Sequence, residues 1–517
     1  MSPRLAASPV AAEESRIAVI DLGSNTFRLV VFRYRPGGPF HLVDEIRDTV
    51  RLSAGQRRGR LRREAIERGA RTAGLYAAFC RAAGIDEVVA VATSAIRDAA
   101  NQAEVLDALA RQGLEARVLS AEEEARYAYV GAINATTLVD GLIVDVGGGS
   151  MQVARVAGRE LRQSMSHPVG AVRMTEAFLA DERPGRAALR ALRRHLAEEL
   201  APHAWAHDQD GRMVGVGGSV RTLAAMAQKR AEYPLSEVHG YPLTRDAIGE
   251  LIDEMAALPA GQRDRLPGLK SDRADIMLAG AVVIDAVMEH AGAERLEVCA
   301  HGLREGIFFE RFLAPAKPPL VPDVRRSSVL NVAAAYRYDR QHCEQVAHLA
   351  CMLLDQLARL GLHPGDERER GVLWAAGILH DVGVLVDYND HHKHSYYLVL
   401  NAGLPGFRHR ELALVALLVR SHRKAPPSVD PLGSVLGRGG EGLLLRLAAC
   451  LRIAEQLERG RAQIVRELRC TLEDDAVRVD VVAEGDPSVA VWAAAQEGPT
   501  FETAFGRRLE IVPDPAG

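Results

Sequence analysis

"VIDLGSNTFRLVVF", residues 19–32, and "IVDVGGGSMQVARV", residues 143–156, align without a gap. Asp21 falls on Asp145, Gly23 on Gly147 and Thr26 on Ser150. Each stretch is an apolar run, an aspartate, a turn of small residues and a second run of strand-forming residues, which reads as strand, turn, strand. A repeat of this kind implies two similar α/β halves facing each other across a cleft. A third glycine turn, "MVGVGGSVRTLAAM" at 213–226, joins an apolar strand to a helix. Glycines let a turn bend sharply enough for successive N–H groups to point at one anion, and the Ser and Thr hydroxyls add donors. Opposed turns suit neighbouring phosphates of one substrate. An aspartate beside phosphate is reasonable if Mg²⁺ lies between them.

The rest of the chain bounds this reading. With 517 residues it is too long for one domain. Its 48% hydrophobic and 26% charged residues are ordinary for a soluble globular protein. A net charge of −4 says little about partners. The basic run Arg57 to Arg63 is either a solvated helix face or a surface for a polyanion. The six cysteines include no C-x-x-C pair, which indicates neither a disulfide framework nor a thiolate zinc site. The apolar runs are too short to span a bilayer, and residues 1–15 lack the apolar core of a signal peptide. The expectation is a cytoplasmic protein with no membrane and no nucleic-acid partner.

From Arg16 to about Pro315 short apolar strands alternate with helical stretches, the pattern of an α/β fold. The tail up to about Glu14 reads as disordered. "LAPAKPPLVPDVRRSS", 313–328, is proline-rich and reads as a linker. Helical periodicity then runs from about Ser328 to Arg459. Alternating runs beyond Arg461, such as "CTLEDDAVRVDVVAE", read as a small terminal sheet.

"AVIDLGSNTFRLVVF", "ATSAIRDAAN", "LSAEEEARYAYVGA", "IVDVGGGSMQV", "GVGGSVRTLAA" and "AHGLREGIFFE" follow one another in this chain. In that order they resemble the exopolyphosphatase and guanosine pentaphosphate phosphatase family (Ppx/GppA). The likeness continues through "WAAGILHDVG", "HHKHSYYLVLNAGLPGF" and "LVRSHRK", as in the family's long, two-module members. The resemblance implies duplicated ribonuclease H-like halves of the actin, sugar kinase and heat-shock chaperone fold, at 1–140 and 141–315. A linker at 316–327, an HD-like helical domain at 328–460 and a small α/β subdomain at 461–517 complete the expected organisation.

It also implies roles, residue by residue. Glu124, before Ala-Arg in "AEEEAR", matches the general base that takes a proton from attacking water. Glu122 and Glu123 would raise its pKa if they lie close. Asp145 matches the magnesium-associated aspartate, and Asp21 is its counterpart. Gly23, Ser24, Asn25, Thr26, Gly147, Gly148, Gly149 and Ser150 match the phosphate-binding turns. Arg97 matches an arginine near the phosphates, with Arg28 and Arg273 as weaker candidates that pair equally well with nearby acids. Gln152 departs from the family, which usually has "GGGS-x-E". An amide accepts a hydrogen bond but brings no charge, so weaker Mg²⁺ binding or slower turnover is expected.

"GILHDVG" places His380 beside Asp381; His342, His394 and His422 lie elsewhere in the helical part. Adjacent His-Asp with a distant His resembles HD-type metal phosphohydrolases, and imidazole with carboxylate suits a divalent metal. Where that family has a late aspartate, this chain has Glu455 in "LRIAE". His342, His380, Asp381 and Glu455 are therefore the candidate ligands of a second divalent metal. His391 and His392 instead suit a basic path with Lys393, Arg423 and Lys424. The expected activity is Mg²⁺-assisted hydrolysis of inorganic polyphosphate. The alternatives are 5′-phosphate hydrolysis of guanosine pentaphosphate, or a non-catalytic sensor of polyphosphate or an alarmone. A homodimer is the family's expectation.

Overall fold

The computed structural model describes residues 14–207, 212–424 and 426–514. The expected disordered tail lies, but for Glu14, outside the described residues. The chain forms two compact units, Met1–Pro322 and Asp323–Gly517.

The first unit is built on two sheets. One has strands β1 (Ser15–Leu22), β2 (Phe27–Tyr34), β3 (Phe40–Asp48), β4 (Glu87–Ala92) and β5 (Ala116–Val118) in the order β3-β2-β1-β4-β5. The other has β6 (Gly141–Val146), β7 (Met151–Ala157), β8 (Glu160–His167), β9 (Met213–Val216), β10 (Pro242–Thr244) and β11 (Arg295–Val298) in the order β10-β11-β9-β6-β7-β8. The echo in sequence is an echo in topology. β1 pairs antiparallel with β2 and parallel with β4, as β6 pairs antiparallel with β7 and parallel with β9. Asp21 faces Arg28 across the first hairpin, and Asp145 faces Gln152 across the second. These are the duplicated halves of the actin-like fold.

Alternation along β1 explains why its run is apolar throughout. Ile17 and Val19 join one buried cluster, and Ala18, Ile20 and Leu22 join another on the opposite face. The Ile17 cluster also holds Ile143 and Val214 of the second sheet, with Val130 and Phe308 from two helices. Those helices, Ala121–Ile133 and Leu303–Phe312, approach closely enough that a Cβ at Gly131 would overlap the carbonyl of Gly302. A Cβ at Gly306 would likewise overlap that of Tyr127. The helix Leu303–Phe312 also packs on β1 and β2, so residues 141–315 do not form a self-contained second half.

The second unit departs from the expected boundaries. Asp323 caps a helix running Val324–Ala335 by accepting from the Arg326 N–H at 3.0 Å. A cap ends the proline-rich stretch early, so the linker does not reach 327. Helices fill the chain from there to Leu457, among them Arg340–Arg359, Glu367–Leu379, His391–Ala402, His409–Ser421 and Gly440–Leu457. The final sheet, β12 (Val465–Glu473), β13 (Ala476–Ala483) and β14 (Arg508–Pro513), is accompanied by helices Ser488–Ala495 and Gly498–Phe505. Both of these helices pack on Gly440–Leu457, and β12 packs on Arg340–Arg359. Residues 461–514 therefore belong to one body with the helices before them. Among the described residues no helix is long and apolar enough to cross a membrane.

Candidate active site

The turns after β1 and β6 open into one cleft of the first unit. Asp21, Gly23, Ser24, Asn25, Thr26, Glu124, Asp145, Gly147, Gly148 and Ser150 all line it. Gly149 lies just behind, where a Cβ would collide with the hydroxyls of Ser24 and Ser94. The third glycine turn closes the cleft over Asp145. Gly217 has φ +88°, and a Cβ there would meet the Asp145 carboxylate, so glycine suits both the backbone and the space. The side chains of Arg28 and Arg273 line the cleft as well.

Glu124 reaches the cleft because of how its helix starts. Ser120 accepts from the Glu123 N–H at 3.1 Å, and the Glu123 carboxylate accepts from the Ser120 N–H at 2.9 Å, a capping box. Glu123 also pairs with Arg117. It is spent on the cap and does not face Glu124. Glu124, one residue on, is 7% exposed and accepts from Arg97 Nη1 at 2.7 Å. Burial pushes its pKa up to about 7; Arg97 opposes this, and the charges of Asp145 and Asp21 add to it. The like charges that matter are thus these two aspartates, not Glu122 and Glu123. Arg97 itself is anchored between Glu124 and Asp98, whose Oδ1 lies 3.4 Å away, and it supports Glu124 from behind.

Asp145 is pushed up to about 6 by burial and then by Asp21. Asp21 is also raised, first by burial, although Arg304 stands 3.3 Å from its Oδ2. Asp145 makes no side-chain hydrogen bond or ion pair among the described residues. Two neighbouring, partly buried carboxylates, one without a partner, fit a hard divalent cation held by oxygen.

The positive side of the cleft is larger than the sequence suggested. Arg221 and Arg304 line it beside Arg28 and Arg273. Burial, then Arg304 and Arg221, pull Arg28 down to about 9. Burial, then Arg47 and Arg221, pull Arg273 down to about 10. Guanidinium groups that destabilise one another's charge suit a site completed by a polyanion.

Gln152 does not line the cleft. It is buried on β7, and its Nε2 donates to Ser150 Oγ at 2.8 Å and to Ser166 Oγ at 3.2 Å. Ser150 in turn donates to Glu124 Oε1 at 3.4 Å.

In the second unit the expected ligands converge. Glu455 Oε2 lies 3.2 Å from His342 Nε2 and 3.1 Å from His380 Nε2, and Asp381 Oδ1 lies 3.6 Å from His380 Nε2. Two further histidines, His391 and His422, join Asp381 there, whereas His394 does not. The basic path is overturned. His391 and His392 are buried, and Lys393 and Lys424 both hold Asp390, at 2.9 and 2.5 Å.

Two matched glycine turns, a buried acid with a pKa near 7 and four arginines meet in the cleft of a duplicated actin-like fold. Residues 30–314 match the model of the Ppx/GppA phosphatase family, and 324–486 that of Ppx/GppA phosphatase domain III. The chain belongs to the Ppx/GppA phosphatase family, metal-dependent hydrolases of phosphoanhydrides. Among solved structures, the Aquifex aeolicus family member is 30% identical, covering 57% of this chain and 97% of its own, with a TM-score of 0.49. An exopolyphosphatase from Cytophaga hutchinsonii is 22% identical, covering 58% and 98%, with a TM-score of 0.54. An exopolyphosphatase-like protein is 27% identical, covering 57% and 98%, with a TM-score of 0.53. The last two share the fold.

Proposed function

We propose that this chain is a Mg²⁺-dependent exopolyphosphatase that releases terminal phosphate from inorganic polyphosphate. The observation that carries the reading is Glu124, buried, held near neutrality and hydrogen-bonded to Arg97 at the wall of an arginine-rich cleft. In the reaction, Glu124 accepts a proton from water as the water oxygen bonds to the terminal phosphorus. The bond from that phosphorus to the bridging oxygen breaks, and the shortened chain leaves with the electron pair. Arg97 fixes the orientation of Glu124 and favours its ionised form. The N–H groups of the two turns and the guanidinium groups of Arg28, Arg221 and Arg273 hold phosphoryl oxygens in line. Asp21 and Asp145 would hold Mg²⁺, which supplies positive charge to the transferring group.

Polyphosphate is favoured over guanosine pentaphosphate because the lining, beside Asp21, Asn25, Glu124, Asp145, Ala300 and Leu303, is glycine, small hydroxyls and arginine, groups that meet phosphoryl oxygen rather than a base. The test is phosphate release from long-chain polyphosphate and from guanosine pentaphosphate, side by side with Mg²⁺. Faster release from polyphosphate, lost in Glu124→Gln, is the expected result. Faster release from the nucleotide overturns the substrate. Tight binding of either without release makes the chain a sensor.

A further inference from the structure

We propose that His167 and His203, in the first unit but outside the catalytic cleft, form a binding site for an imidazole-preferring divalent transition-metal ion, Cu²⁺ or Ni²⁺. His167 is the last residue of β8, and His203 follows the helix Arg186–Leu200, which also carries Glu199. Glu199 and His203 are four residues apart, so the end of that helix presents both to the strand. His167 Nδ1 lies 2.8 Å from Glu199 Oε2. A carboxylate oxygen accepts, so Nδ1 carries the proton, and in the neutral ring Nε2 holds the lone pair. That Nε2 faces His203 Nε2 at 2.9 Å. A carboxylate on the far nitrogen is the support that metal-bound imidazoles usually have. It fixes the ring and makes the facing nitrogen a stronger donor.

The spacing selects the ion. Two nitrogens bound at about 2.1 Å, with about a right angle between them, stand about 3 Å apart, the edge of a tetragonal site. A tetrahedral ion would set them about 3.4 Å apart. The observed 2.9 Å matches the tetragonal edge. The rings are inclined at 77°, so they meet at their edges and do not stack. His203 is also held in place through its backbone. Its N–H donates to the Leu200 carbonyl at 2.9 Å, and its own carbonyl accepts from the Ala206 N–H at 2.9 Å and from His290 Nε2 at 3.1 Å. Burial, then the charges of His167 and His290, hold the His203 pKa below its ordinary value, so this ring stays neutral. With both rings neutral, one proton lies between the two Nε2 atoms. When an ion takes that place, the proton passes to His203 Nδ1 and both Nε2 lone pairs bind the ion. Both residues are half-buried, so the ion enters from solvent and water fills its remaining positions.

The site backs the second phosphate turn. Met151, next to Ser150, pairs with His167 across β7 and β8. Gly170 stands so close to the turn that a Cβ would overlap the Ser150 nitrogen and the Gly148 carbonyl. The N–H groups of Ala171 and Val172 donate to the carbonyls of Gly147 and Gly148 at 2.9 and 2.8 Å. An ion that ties His167 to His203 therefore fastens the strand end behind that turn.

The test uses the full chain in excess Mg²⁺ with Cu²⁺ as the probe, read by equilibrium dialysis and electron paramagnetic resonance. The helical unit has imidazoles of its own, so each result is a difference between chains. Wild type is expected to bind one more Cu²⁺ per chain than His203→Ala at the same free concentration, and the difference spectrum to show coupling to nitrogen. His167→Ala is expected to lose the same ion, and the double variant no more than either single one, since both rings hold one ion. Glu199→Gln should weaken the affinity by about 10-fold or more. A cooperative urea transition without Cu²⁺ shows that each variant is folded, and half-exposed His203 decides the matter alone if His167→Ala does not fold. A His203→Ala chain that binds as much Cu²⁺ as wild type leaves only a hydrogen bond between the rings and overturns the proposal. Losses that add in the double variant mark two independent surface histidines and overturn it as well.

Discussion

Replacing Glu124 by glutamine is expected to make the chain more stable and much less active, and the two effects have one cause. The Glu124 pKa is raised from 4.5 to about 7, chiefly by burial. At about 1.4 kcal/mol per pH unit, that difference costs the folded state about 3 kcal/mol once the group is ionised. The folded chain binds this proton more tightly than the unfolded chain. Stability is therefore lost as pH rises from 4.5 through about 7, and the whole penalty is present at pH 8. Glutamine has the same length, stays neutral and still accepts from Arg97. In a metal chelator, Glu124→Gln should gain up to about 3 kcal/mol in the unfolding transition of the first unit at pH 8, and almost nothing near pH 4. Losing the base should lower phosphate release by about 10²–10⁴-fold. The assays are urea unfolding at the two pH values and phosphate release from polyphosphate with Mg²⁺. A variant that is less stable at pH 8 makes Glu124 a structural partner of Arg97 and refutes the reasoning, as does one that keeps full turnover.

The same protonation governs the pH profile. At limiting Mg²⁺, kcat/KM should rise through about pH 7 as Glu124 ionises, and a rate–pH curve flat from 5 to 8 under that condition would remove Glu124 as the base. Gln152→Glu should shift that limb to higher pH, because a second buried negative charge strengthens proton binding at Glu124, and should lower the Mg²⁺ needed for half-maximal rate. Titrating rate against Mg²⁺ at several pH values checks both. Arg304→Ala removes a cleft-lining cation and the ion-pair partner of Asp21, and should raise KM for polyphosphate by about 10-fold or more, read from initial rates. Gly306→Ala drives a methyl into the Tyr127 carbonyl and should destabilise the first unit by about 1–3 kcal/mol in urea unfolding.

The halves were legible because strand–Asp–turn–strand is a local pattern, and its repetition carries the topology. What each residue meets across the cleft is not local. Arg221 and Arg304 stand in quoted motifs, yet their role exists only because the helices Gly217–Arg230 and Leu303–Phe312 begin at the same cleft. Three consecutive acids look alike in sequence. Successive helical residues point in different directions, so Glu123 turns back to cap Ser120 while Glu124 turns inward. The same limit applies to "HHKH": His391 faces inward to Asp381, whereas Lys393 faces outward to Asp390. Where chemistry depended on residue type and spacing along one element, the sequence was a sufficient guide. Where it depended on two elements converging, it offered candidates without partners.

Gln152 shows how far such a convergence alters a reading. As a sequence departure it subtracts one charge from the metal side. In the structure its amide N–H occupies Ser150 Oγ as an acceptor, which turns the Ser150 proton toward Glu124. A carboxylate at position 152 has no N–H to give and would draw that proton to itself. The amide therefore helps to stabilise the ionised base while leaving Asp145, directly across the hairpin, as the acid of its strand pair. In the first half the equivalent place opposite Asp21 is held by Arg28, a cation. Neither hairpin sets a second carboxylate opposite its aspartate. Negative charge in the cleft is concentrated on Asp21, Asp145 and Glu124, and one metal ion beside the two aspartates would relieve the charges that raise Glu124. On this geometry, a cation held by the two aspartates would lower the Glu124 pKa, so saturating Mg²⁺ should move the acidic limb of the rate–pH profile to lower pH. A limb that does not move between limiting and saturating Mg²⁺ would separate the aspartates from the base and undo the coupling.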